Sequence, residues 1–124
     1  AIATSLSLPM WRNGDAMWAY AADHEPACTQ CQDMAAAADL RHGDFTRAIQ
    51  RQQQALRVSE TTMYPRWERH WNLGAVHMLA GNSEEAIRAL RTYLAVVPAD
   101  LHEMPDHRDH MGRARTILRS LGAL

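Results

Sequence analysis

Residues 72–98 read NLGAVHMLAGNSEEAIRALRTYLAVVP. No catalytic group stands out, yet small and large residues sit at set places: Gly74-Ala75, Gly81, Ala86, Leu90 and Pro98. Where two helices cross closely, the crossing point needs a small residue. A glycine just past a helix end can take the positive φ that closes it. Asn82, with Glu85 three residues on, reads as a capping box that starts the next helix. Pro98 cannot continue that helix. The stretch therefore predicts two helices joined by a turn at Gly81 and packed antiparallel. Its spacing serves packing, not chemistry.

The same pattern lies upstream. HGDFTRAIQRQQQAL (42–56) aligns with AGNSEEAIRALRTYL (80–94) at an offset of 38 residues, with Gly43 on Gly81, Ala48 on Ala86, Ile49 on Ile87 and Leu56 on Leu94. A self-match at such a period predicts stacked helix pairs. Breakers at Pro9, Pro26, Gly43, Pro65, Gly81, Pro98 and Pro105 divide the chain into six expected helices: 10–24, 28–42, 45–59, 65–80, 83–97 and 106–121. Ala, Leu, Arg, Gln and Met are common and β-branched residues sparse, which favours helix throughout. Pro105 suits the first turn of the sixth helix.

Leu73-Gly74, Gly81, Ala86-Ile87, Leu90 and Pro98 resemble the tetratricopeptide repeat, whose period is about 34 residues. The resemblance implies an all-α, right-handed solenoid of antiparallel helix pairs forming one domain. One repeat spans 67–100 and another 29–62, separated by the inserted Met63-Tyr64-Pro65-Arg66. The upstream copy departs from the pattern: Ala36 replaces the usual Gly, Gln52 takes a large apolar position, and Glu60 replaces Pro. Trp18, Ala21 and Pro26 match Leu90, Tyr93 and Pro98, so 10–28 reads as a half repeat. Residues 106–121 read as a capping helix with Met111, Ala114, Ile117, Leu118 and Leu121 on one face.

In this family the first helices of successive repeats line a concave groove. The resemblance places Gln30, Asp33, Leu40 and Arg41 there from one repeat, and Glu68, Trp71 and Met78 from the next. Trp71 and Met78 would anchor a protein or peptide partner. A clamp for two carboxylates, known in chaperone-binding members, requires Lys, Asn and Arg. Only Asn72 matches, so that ligand is not expected.

A second resemblance is shorter. MWRNGDAMWAYAADHEPACTQCQ (10–32) is similar to the join between the last membrane helix and the first repeat in bacterial multi-spanning glycosyltransferase-like proteins. Trp11-Arg12, Trp18, Pro26, Cys28 and Cys31 carry it. It implies a C-terminal regulatory domain on the periplasmic or extracellular side. The chain opens Ala1-Ile2-Ala3-Thr4, with no initiator Met, and so reads as a processed product or a piece of something longer.

The expected function is a non-enzymatic interaction or scaffold module without a cofactor. One alternative is that regulatory domain. Another is a structural subunit that self-associates end to end through Trp11, Met17 and Trp18, because the half repeat leaves apolar surface uncovered. A formal charge of −1 gives no global case for nucleic acid or an anionic membrane. No apolar run approaches the roughly 20 residues of a membrane span. Cys28 and Cys31 at a helix start read as structural, either free thiols or a local disulfide, with metal and redox readings open. In DLHEMPDHRDH (100–110), His107 and His110 are weak metal candidates set against a plain solvated helix start.

Overall fold

A computed structural model describes residues 14–61 and 67–124. Among them are six α-helices, one 3-10 turn and no strand. They run α1 (Gly14–His24), α2 (Thr29–Arg41), α3 (Phe45–Ser59), α4 (Trp67–Ala80), α5 (Ser83–Val96) and α6 (Pro105–Ser120). The all-helical expectation holds; the expected starts at 10 and 65 lie outside the described residues, and the other helix ends fall within a residue of the expected bounds. The 3-10 turn Ala99–Leu101, between α5 and α6, was not anticipated. The chain divides into two compact units, residues 1–62 and 63–124.

In the first unit α1, α2 and α3 are joined by short turns. Asp44 caps α3 by accepting from the Arg47 backbone N–H at 3.1 Å, as an N-cap carboxylate does. The apolar cluster is small: Ala22, Cys31 and Ala35, flanked by Trp18, Ala21 and Cys28. Polar groups do much of the joining. Arg51, on α3 and only 6% exposed, donates through Nε to Asp39 on α2 at 2.8 Å. Its Nη1 reaches Asp23 on α1 at 3.2 Å. Gln32 Nε2 donates to the Ala22 carbonyl at 3.0 Å. Asp15 pairs with Arg41 and His42. The Arg41 hydrogen bond, above all, holds the Asp15 carboxyl below its ordinary range.

The second unit has a denser apolar core. Leu90, Tyr93 and Val97 from α5 and its end meet Met111, Ala114 and Leu118 from α6, with Trp67 and Trp71 of α4 packed on them. At the crossing of α4 and α5 the Gly74 backbone lies so close to Leu90 that a methyl at Gly74 would sit 2.6 Å from Leu90 Cδ2. No side chain fits there unless Leu90 moves, which is the physical content of the Gly74 spacing.

The helix closures repeat. Gly43, Gly81 and Gly122 have φ of 77, 81 and 69°. At each, the glycine N–H donates three residues back and the next N–H donates five residues back, as in Asn82 to the His77 carbonyl at 2.9 Å and Ala123 to the Leu118 carbonyl at 2.8 Å. This is the Schellman closure. One expectation fails. Asn82 occupies the N-cap of α5 but makes no side-chain cap bond. Its amide turns back instead and donates to His77 Nδ1 at 3.2 Å. The buried imidazole, 8% exposed, would otherwise lose that bond, whereas the α5 start is open to water. Acceptance by Nδ1 requires the neutral ring, and burial lowers the His77 pKa accordingly.

Candidate functional site

The second unit carries a cleft of about 340 Å³ between α4 and α6. From α4 it is lined by Glu68, Trp71 and Asn72. From α6 it is lined by Asp106, His107, Asp109, His110 and Arg113. The i, i+3, i+4 spacing on each helix turns these residues to one face. Pro105 at the first turn of α6 fixes where that helix begins, and so where Asp106 and His107 lie.

One wall is aromatic. The His110 ring stacks on Trp71 with centroids 4.7 Å apart and planes 14° from parallel. Behind it Tyr93 tilts against Trp71 at 5.8 Å. His107 meets Trp67 edge-on at 6.5 Å. Three buried polar atoms of this wall lack a hydrogen-bond partner: Trp67 Nε1, His107 Nδ1 and the Tyr93 hydroxyl. Tyr93 is fully buried, and burial, then the Glu68 charge, raises its pKa. The hydroxyl thus lies within electrostatic reach of a cleft carboxylate.

The expected groove residues divide between the units. Gln30 and Arg41 are exposed on α2, while Asp33 and Leu40 are half-buried there. On α4, Glu68 is exposed, and Trp71 and Met78 are half-buried. Only Glu68 and Trp71 line the cleft. Trp71 is no free anchor, since it also packs on the core. Of the self-association residues, Met17 and Trp18 are half-buried on α1, and Trp18 packs toward Ala22, Cys31 and Ala35. Trp11 lies outside the described residues.

Cys28 and Cys31 form a disulfide, one of the two structural alternatives, and cystine sulfurs offer no thiolate to a metal. Cys28 Sγ also caps α2 by accepting from the Cys31 N–H at 3.1 Å. His107 and His110 share a helix, but their rings engage different tryptophans. Among the described residues no three His, Cys, Asp or Glu side chains gather to hold a metal.

Sequence reasoning reached the α6 side only through His107 and His110, read as weak metal candidates, and did not connect them with Glu68 and Trp71. The signal was present. Gly122 lies 41 residues after Gly81 and closes its helix the same way. At that offset Glu68 falls on Asp109 and Asn72 on Arg113, all four of them cleft residues. Reading α6 as a cap did not bring out that correspondence.

No protein-family model and no curated protein matches the chain. No described helix is long and apolar enough to cross a membrane.

Proposed function

We propose that the chain is a non-enzymatic interaction module of tetratricopeptide-like helix pairs stacked as a right-handed solenoid, whose first helices present a groove to a protein or peptide. The observation that carries this reading is the equivalence of α4 and α6. Two helices with the same glycine closure offer the same positions, Glu68 with Asp109 and Asn72 with Arg113, to one cleft. Repeat proteins build extended binding surfaces from such recurrence.

Peptide display against the immobilised chain tests the reading. A segment should be enriched whose capture is weakened at least tenfold by an Asn72→Arg substitution in the cleft. The same capture should survive Arg88→Glu on the exposed side of α5. Failure to enrich any segment, or equal capture by both variants, would overturn it.

A further inference from the structure

We infer that the Cys28–Cys31 cystine is a thiol–disulfide exchange site, which takes two electrons from the dithiol of a partner protein and can return them. It belongs to the first unit and stands with or without the interaction reading above. The bond joins residues only three apart, the N-cap of α2 and its first turn. The helix already holds these two residues close together. A disulfide stabilises a fold by constraining the unfolded chain, and more so the longer the loop it closes. This loop is very short, so as a staple the bond contributes little.

Two observations point to exchange. The first is that the sulfurs are unequally placed. Cys31 is 9% exposed and packs with Ala22 and Ala35, whereas Cys28 is half-buried at the margin of that cluster. An incoming thiolate therefore meets Cys28 Sγ first. The second is that Cys28 Sγ accepts the Cys31 backbone N–H at 3.1 Å, where an N-cap oxygen would sit. The first-turn amides and the dipole of this 13-residue helix favour negative charge at that point. No acidic residue in the first turn of α2 opposes it. A cystine gains little from these amides. A thiolate at Cys28 gains much, as reactive cysteines at helix starts do.

The exchange runs in two displacements. A partner thiolate bonds to Cys28 Sγ as the Cys28–Cys31 bond breaks. The electron pair of that bond stays on Cys31 Sγ, which takes up a proton. The partner's second thiol, having lost its proton, then attacks the partner's first sulfur. Cys28 leaves as a thiolate, held by the Cys31 N–H. The partner is oxidised to a disulfide and this chain is reduced to a dithiol. Of the two protons the partner gives up, one ends on Cys31 and the other in water. The same steps in reverse return the electrons.

The test uses the whole chain and a synthetic hexapeptide whose two cysteines are separated by two alanines. The oxidised chain, mixed with the hexapeptide dithiol, quenched in acid and weighed by mass spectrometry, should exchange roughly tenfold faster folded than unfolded in urea. Iodoacetamide should modify Cys28 of the reduced wild type roughly tenfold faster than Cys31. With the oxidised hexapeptide, Cys31→Ser should accumulate the mixed disulfide through Cys28, and Cys28→Ser should form it far more slowly. A cystine that exchanges no faster folded than in urea is a protected structural bond and overturns the inference. Equal labelling of the two thiols, or faster labelling of Cys31, overturns it as well. The labelling is read on the wild type, so a variant that failed to fold would not shield the inference from it.

Discussion

The helix pairs α2–α3 and α4–α5 share eight buried positions, filled largely with different residues. Ala35, Ala36, Ala38, Asp39, Ala48, Gln52, Ala55 and Ser59 are buried in the first. Thirty-eight residues on, Leu73, Gly74, Val76, His77, Ala86, Leu90, Tyr93 and Val97 are buried in the second. Both pairs close their first helix with a positive-φ glycine, Gly43 or Gly81. The geometry of a pair is thus set by small residues at the crossing and by the glycine turn. The filling is free to vary. The second pair fills with large apolar groups, each contributing about 1.5–3 kcal/mol when buried. The first fills with alanine and lays Arg51 across α2 and α1 as a polar brace. Such a brace repays its own desolvation and little more.

The sharpest way to break the comparison is to remove each pair's own filling. Arg51→Met strands Asp39 as a buried, unpaired carboxylate and should cost about 3–5 kcal/mol. Leu90→Ala opens a cavity behind Gly74 and should cost about 2–5 kcal/mol. Amide hydrogen exchange, read residue by residue, should show the first loss confined to 14–61 and the second to 67–124. If Arg51→Met left the α2–α3 amides as protected as before, the brace would be decorative and the contrast false.

What the sequence disclosed follows from the same division. The glycines, the small crossing residues and the prolines are local signals, and they placed the helices. The brace is not local: Arg51 meets Asp39 and Asp23 from 12 and 28 residues away, and nothing in a helical pattern marks an arginine as buried. Gln52 looked like a defect at an apolar position, and the structure buries it all the same. The capping box misled because Asn82 had a stronger claim on it, the buried His77 ring. Half of the cleft was legible through Glu68 and Trp71. On α6, His107 and His110 were singled out only as weak metal candidates, and their place beside Glu68 and Trp71 was not legible.

Acid should separate the pairs in a second way. His77 has a folded pKa lowered by burial from 6.5. Its unfolded ring takes a proton first, so the stability it contributes is full above about pH 6.5 and is lost as pH falls from there through the folded value. Asp15 has a folded pKa lowered from 3.8, chiefly by the Arg41 hydrogen bond, and its contribution is lost only below that value. Urea unfolding followed by hydrogen exchange between pH 7.5 and 5 should therefore weaken α4–α5 first. His77→Leu should flatten that dependence. A second unit whose stability is level across this range would show that His77 is protonated without cost.

The smallest effect tests whether the fillings can be exchanged. Gln52 stands where Leu90 stands in the second pair, is 5% exposed, and its Oε1 is buried without a partner. An unsatisfied buried carbonyl of this kind costs about 1–3 kcal/mol. Gln52→Leu removes it and adds buried apolar surface. Against this, leucine branches where glutamine does not, and repacking of similar volumes commonly costs up to about 1.5 kcal/mol. Ala36, opposite in the register, has a methyl where Gly74 has none, so the leucine finds slightly less room than Leu90 does. The two contributions nearly cancel, with the carbonyl the larger. The expected result is a gain of roughly 0.5–1 kcal/mol, read as a rise in the urea midpoint at constant slope. Pairing the change with Ala36→Gly would supply the missing room and convert the first crossing to the second. If Gln52→Leu instead lost more than about 1 kcal/mol in both backgrounds, the polar filling of the first pair would be a requirement of its packing, not a tolerated variation on the second.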